Sequence, residues 1–498
     1  MPPPAPRPLI TAAEVFPALE RLAHGAEQEL LLAFRIFDPA TRLRAPELRR
    51  QGLDTWRDLI ASLCDRGVNV RLLMADFDPI FASDLHRDAW AAAQRFEQVM
   101  GVCGQVLSAP HGHVAGRLWR WAMWREVARR LGDLKREARA RLTPLQARAL
   151  SGRVELRPVT LHQKFTIADR TRAIIGGMDL DERRWDTPAH DRPAEETWHD
   201  VSVAVDGPVV ASAHAHFAEC WNAARRSAAQ EMRAATDDME IPAPQTADMA
   251  LRFVRTLSKP LARPARLGPA HEIMEHEATL IEAFESARHH VYLETQFLRH
   301  MPLARAMARA ARANGNLQLV VVLPSEPERV IFGGHTGVDA RYAQALQLRC
   351  LSLLRSSFGD RLAVVGPVQP RPAPPDTPKP VQGAGIVYVH AKVTLIDDTL
   401  GLVGSANLNG RSMRWDTEAS VLFRDPDAVR DLRTRLAGIW LGPHAEDADT
   451  TRAHTWRQAA LSNAARDPKD RQGFAMPYPF ARNRRFSRHI PILPAEMF

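Results

Sequence analysis

Short apolar runs alternate with amphipathic helical stretches along this chain, and the alternation occurs twice in the same order. A helix-like stretch near Ala12–Gln28 leads into the apolar run Leu30–Phe37, a further helix, the run Val68–Ala75 and then a strand carrying His162. Later, a helix near Glu272–Ala287 leads into Val291–Leu298, another helix, the run Leu317–Leu323 and a strand carrying His390. Apolar runs of this length between helices predict βα units around a buried mixed or parallel sheet, which makes the fold class α/β. A repeat of about half the chain points to duplication rather than a solenoid. At 498 residues the chain exceeds one ordinary core. Two similar halves are therefore expected, 1–240 and 241–498, joining near Thr236–Gln245 where polar residues and prolines interrupt the periodicity.

Four stretches fall outside this pattern. Trp185–Thr197 is rich in Asp, Pro and Glu, and the tail Tyr478–Phe498 mixes aromatic residues, prolines and arginines. Gly366–Gly385 holds seven prolines and three glycines just before His390, and reads as a semi-rigid loop over a site. Arg117–Leu142 reads as a helix with Trp121, Trp124, Ala128 and Leu131 at helical spacing and nine Arg or Lys residues. A basic helix with tryptophans suits an anionic membrane surface. The commoner use of such a stripe is docking on the protein's own domain, which is the favoured expectation here.

Composition narrows the class. A composition of 45% hydrophobic and 25% charged residues is that expected of a folded soluble protein. Its net charge of +8 favours anionic partners: phospholipid surfaces, nucleic acid or phosphorylated metabolites. Cys64, Cys103, Cys220 and Cys350 are scattered without metal or disulfide spacing and are expected to be reduced. No signal peptide and no membrane span is legible, so the expected location is cytoplasmic, or export as an effector without a classical signal.

The chemistry lies in two copies of one pattern, His162-Gln-Lys164 followed by Asp169 and His390-Ala-Lys392 followed by Asp397. Gly176 and Gly404, Asp179 and Asn407, and Arg183 and Arg411 recur downstream at equal offsets. On a strand, residues i and i+2 share a face, so each histidine faces the same way as its lysine. If the halves pack about a pseudo-twofold axis, both pairs converge on one site. One neutral imidazole then attacks phosphorus while the other, protonated, supplies a proton to the leaving oxygen. The lysines, Asp179 and Asn407 surround the non-bridging oxygens, and no metal or cofactor is required. Each ring needs its second nitrogen anchored, for which Asp200 and Glu418 are candidates. Asp169 and Asp397 join the candidate catalytic set, although their odd spacing from the lysines equally suits a structural salt bridge.

These residues resemble the phospholipase D superfamily, whose signature is the duplicated HxKxxxxD motif. Gly176–Pro188, Trp198-His-Asp200 with Gly207-Pro208, Tyr292–Gln296, Tyr388–Lys392 and Gly404–Met413 look like its lipid-hydrolysing, eukaryotic-type segments. The resemblance implies two similar α/β/α halves with one active site at their interface. It implies His162 as nucleophile, His390 as general acid, and Lys164, Lys392 and Asn407 on the phosphate. Asp179 stands where bacterial relatives frequently have Asn, so its phosphate contact needs a proton or a neighbouring lysine. Arg414–Glu418 is shorter than the corresponding segment, and Glu294 and Gln296 are pocket or core-strand residues. The expected function is a phospholipase D hydrolysing the distal phosphodiester of a glycerophospholipid at a membrane surface, with possible transphosphatidylation. The alternatives are a phosphatidyltransferase resembling cardiolipin synthases, a nucleic-acid phosphodiesterase and a silent phosphate-binding scaffold. Nucleic acid is the weaker partner, since no aromatic-basic interleaving of a single-strand track is visible. With both motifs in one chain, a monomer is expected.

Overall fold

The computed structural model describes residues 5–228, 237–242, 250–490 and 493–498; the candidate joint Thr236–Gln245 lies partly outside them. The first half contributes seven strands: β1 (Arg7–Ile10), β2 (Glu29–Phe34), β3 (Asn69–Ala75), β4 (Gly104–Ala109), β5 (Phe165–Ala168), β6 (Arg172–Gly176) and β7 (Val201–Asp206). They form one sheet in the order β1-β7-β6-β5-β2-β3-β4. The second half contributes β8 (Leu251–Lys259), β9 (Ala270–Met274), β10 (His290–Thr295), β11 (Gln318–Val322), β12 (Leu362–Val365), β13 (Val368–Pro372), β14 (Ala384–Ile386), β15 (Lys392–Ile396), β16 (Leu400–Gly404) and β17 (Glu418–Phe423). Eight of these build a sheet ordered β12-β11-β10-β15-β16-β17-β8-β9, while β13 and β14 pair separately.

Read from opposite ends, the two large sheets have one topology. β2, β3 and β4 run parallel, as do β10, β11 and β12, and the remaining pairs are antiparallel. Parallel strands require crossovers, and these cover the outer faces. The helices Thr11–His24, Trp56–Asp65 and Ser83–Met100 pack on the first sheet through Leu30, Leu32, Val70 and Leu72. Met301–Ala313 and Val338–Phe358 pack on the second through Val291, Leu293, Leu319 and Val321. The alternate residues of the same strands, Leu31, Ala33 and Leu73 in one half and Tyr292, Val320 and Val393 in the other, form a common core between the sheets. Each large apolar side chain so buried contributes about 1.5–3 kcal/mol against about 0.5–1.5 for a hydrogen bond. The shared core therefore holds the halves together, and the polar bridges between them set register.

The structure departs from the sequence reading in three places. Gly366–Gly385 includes most of the β13–β14 hairpin, whose Gln369 donates to the carbonyls of His190 and Arg192 at 2.7 Å; it clasps the Trp185–Thr197 segment. The basic helix breaks at Met123 into Arg117–Ala122 and Trp124–Arg136, and it does not dock through Trp121 and Trp124, which are exposed. The stretch near Glu272–Ala287 starts as strand β9 before becoming the helix Glu275–Ser286.

Candidate active site

His162 and His390 do not sit within strands. His162 and Lys164 precede β5 in an extended segment, and His390 precedes β15, whose first residue is Lys392. What places them is a pair of isolated parallel bridges between the halves, Leu161 with Thr417 and His199 with Val389. Around the first, the His162 amide donates to the Thr417 carbonyl at 2.9 Å; around the second, the His390 amide donates to the His199 carbonyl at 2.8 Å. The residue after Thr417 is Glu418 and the residue after His199 is Asp200. Each histidine is thus laid beside the other half's carboxylate: His162 Nδ1 lies 3.0 Å from Glu418 Oε1, and His390 Nδ1 lies 2.6 Å from Asp200 Oδ2.

The lysines complete the cluster. Lys164 Nζ donates to the His162 carbonyl at 2.6 Å and lies 3.9 Å from Asp179 Oδ2. Lys392 Nζ lies 3.1 Å from His390 Nε2. Asn407 follows the end of β16 closely, is buried, and leaves its Oδ1 without a partner among the described residues. Close packing fixes the carboxylates. A Cβ on Gly177 would strike Asp200, and Gly176 and Gly404 pack directly against Ser202 and Ser420, which explains the repeated glycine. Ser405 donates to Glu418, and Trp198 lies against the His390 ring with centroids 4.6 Å apart.

Burial governs the protons here. It lowers His162 well below the usual imidazole value, helped by the charges of Lys164 and Arg35, and lowers His390 likewise, helped by Lys392 and Lys164. Burial also brings the Lys392 ammonium down to about 7, although Asp200 pulls the other way. It pushes the Glu418 carboxyl up to about 8 against the charge of Lys164, and raises Asp200 against that of Lys392. These five groups are thereby moved towards their neutral forms. An anion placed beside the cluster would favour the charged forms of the cations.

Two placements correct the sequence reading. Asp169 and Asp397 are removed from the site, at the far ends of β5 and β15. Asp169 accepts from the amides of Glu27, Gln28 and Glu29, and Asp397 from those of Arg288, His289 and His290. Glu294 does not line the cluster either. Glu294 pairs in register with Val393, one step from Lys392, and so points to the opposite face. There its carboxylate accepts from Tyr292 Oη at 2.6 Å and Trp440 Nε1 at 2.5 Å and meets His199 Nε2 at 3.0 Å. Gln296 donates to Tyr388 Oη at 2.9 Å, two residues before His390 in the chain.

Arg35 is the group sequence reasoning missed. It follows β2, its charge acts on Asp179 and both histidines, and its Nε has no partner among the described residues. The signal was present, because a lone arginine inside the apolar run Leu30–Phe37 rarely sits there without an anion to meet. With Lys164, it also explains an aspartate at position 179: two cations offset one carboxylate beside the cluster.

Residues 280–440 match the family model described as Cardiolipin synthase, PLD-like domain. Among curated proteins, the chain is 23% identical over 376 residues to phospholipase D gamma 1 of Arabidopsis thaliana, covering 53% of this chain and 44% of that one. It is 26% identical over 324 residues to phospholipase D1 of Homo sapiens, covering 54% and 30%, respectively. It is 24% identical over 275 residues to cardiolipin synthase A of Pseudomonas putida (strain W619), covering 55% and 46%. The chain thus spans less than half the length of each of these relatives. Among solved structures, phosphatidylserine synthase of Haemophilus influenzae Rd KW20 superposes with a TM-score of 0.50 at 12% identity, covering 85% of this chain and 83% of that one, a likeness of fold.

Proposed function

We propose that this chain, which belongs to the phospholipase D superfamily, hydrolyses the distal phosphodiester of glycerophospholipids to phosphatidic acid and a free head-group alcohol. The observation that carries the reading is the crossed pairing of two histidines with two carboxylates above two buried lysines. With Nδ1 of each ring held by a carboxylate, Nε2 is the nitrogen left for chemistry. As the resemblance to the superfamily implies, His390 is assigned as acid and His162 as nucleophile. Its neutral Nε2 attacks phosphorus, the bond to the head-group oxygen breaks, and His390 gives that oxygen its proton. Neutral His390 then takes a proton from water as the water oxygen attacks the phosphohistidine, releasing phosphatidic acid and restoring His162. Lys164, Lys392 and Asn407 hold the non-bridging oxygens through both steps. One chain supplies every group in this scheme.

A second reading is phosphatidyl transfer to a lipid hydroxyl in place of water, favoured by the cardiolipin synthase description of the matched model and by the Pseudomonas relative. The test incubates purified protein with phosphatidylcholine, phosphatidylethanolamine, phosphatidylglycerol or single-stranded DNA, with and without a primary alcohol. Phosphatidic acid, and phosphatidyl alcohol when alcohol is present, are expected, with at least about a 10³-fold loss in His162→Ala. A four-chained lipid formed from phosphatidylglycerol alone identifies the transferase. DNA cleavage without lipid turnover overturns both readings.

A further inference from the structure

The two halves carry different excursions at the same place in their sheet order. Between β12 and β15 lies the β13–β14 hairpin; between β4 and β5 lies a helical insertion, Arg117–Ala122, Trp124–Arg136 and Pro144–Leu150, with a small core of its own. That core, which includes Val127, Leu134, Leu156 and Val159, closes on Trp415. Trp415 is three residues before Glu418, and the neighbouring Asp416 accepts from the Thr160 amide at 3.0 Å. The insertion therefore rests on the segment that anchors His162. It also leaves the sheet at the same edge as the histidine-lysine cluster. β4 ends with Ala109 opposite Ala75, Met74 is opposite Phe34, and Ala33 is opposite Phe165, the residue after Lys164.

Docking of the insertion uses Trp119, whose Nε1 donates to the Ala265 carbonyl at 2.9 Å, and the Gly116 and Leu118 amides, which donate to the Arg266 and Pro264 carbonyls. What remains outside is apolar and cationic. Leu118, Trp121 and Trp124 are 52%, 74% and 56% exposed, and no other seven-residue stretch among the described residues exposes three large apolar side chains. Arg117 and Arg125 flank them, and Arg125 lies 5.5 Å from the Trp124 ring centre. Exposed Arg263 and Arg266 stand on the loop beneath. The stretch 117–142 holds nine basic and three acidic residues.

We propose that this platform docks the protein on the surface of an anionic phospholipid bilayer, with Leu118, Trp121 and Trp124 entering the interfacial layer and the arginines meeting lipid phosphates. Indole rings and arginine are amphipathic and suit a boundary that is apolar on one side and anionic on the other. The net positive charge of the insertion supplies the complementarity. The inference builds on the phospholipid reading of the active site but concerns how the enzyme reaches packed lipid, and the two fail separately.

The test uses the full chain and a Trp121→Ala/Trp124→Ala double variant, both replaced side chains being mostly solvent-exposed. Binding is read by co-sedimentation with phosphatidylglycerol vesicles and with phosphatidylcholine vesicles. Turnover is read on the same vesicles and on a short-chain phospholipid below its micellar concentration. The wild type is expected to sediment with phosphatidylglycerol vesicles at least tenfold better than with phosphatidylcholine vesicles. The double variant should lose at least tenfold in sedimentation and in vesicle turnover, while turnover of the monomeric lipid and the melting temperature stay unchanged. Sedimentation of the double variant equal to wild type overturns the docking proposal, as does wild-type binding to single-stranded oligonucleotide but not to vesicles. Wild type that sediments but turns over neither lipid leaves docking supported and overturns the catalytic reading.

Discussion

In the proposed reaction, Lys392 is the residue whose charge sets the pH range in which phosphate is held. Its ammonium is brought down to about 7 by burial, so it carries its proton below that pH and loses it as pH rises through it. kcat/KM, which reports the free enzyme, is therefore expected to fall above about pH 7, while the alkaline limb of kcat lies higher because bound phosphate favours the charged lysine. A kcat/KM that stays flat between about pH 6 and 9 contradicts this assignment. Arg35 acts on the same balance from the other half of the cluster, since its charge offsets Asp179. Side-chain identities announced the histidines and lysines. They also offered Asp200 and Glu418 as ring anchors, but not which carboxylate meets which ring, nor Arg35, because both are decided by distance in space and Arg35 is far from both motifs in the chain.

At the scale of the strand and its turn, the aspartate of each repeat has an architectural role. Asp169 and Arg170, and likewise Asp397 and Asp398, have positive φ in the tight turns after β5 and β15, a backbone conformation Asp tolerates better than most residues. From there each carboxylate collects the amides that lead into the neighbouring strand, β2 or β10. Burial would raise Asp169, but those amides outweigh it and hold the carboxyl below its usual value. Asp169→Ala is expected to cost about 1–3 kcal/mol by leaving these amides unpaired, and to lower the melting temperature while turnover per folded molecule changes less than tenfold. A collapse of turnover in a fully folded variant would return Asp169 to the catalytic set. Odd spacing from the lysines had allowed this structural role. Periodicity located the strands well but overran them at the histidines, where two single cross-half bridges, invisible to any local pattern, take over from the ladder.

At the scale of the whole molecule, neither half owns a complete site. Asp200 of the first half holds His390 of the second, and Glu418 of the second holds His162 of the first. With His162 as nucleophile and His390 as acid, the two carboxylates have separable effects. In kcat/KM, Asp200→Asn is expected to cost about 10²-fold or more on phosphatidylcholine but less than about tenfold on a p-nitrophenyl phosphatidyl ester, whose leaving group needs little protonation. Glu418→Gln is expected to lose similar factors on both substrates. Equal losses for Asp200→Asn on the two esters would reverse or dissolve the assignment of roles. Among the described residues no helix is long and apolar enough to cross a membrane. The sequence by itself determined the α/β class, the duplication and the four central side chains, because these are written in periodicity and in residue identity at equal offsets. Only the tertiary structure decided the crossing of histidines and carboxylates, the exile of Asp169, Asp397 and Glu294 from the site, and the exposure of Trp121 and Trp124. Each of these depends on which surfaces two packed sheets turn towards one another, and no local spacing encodes that.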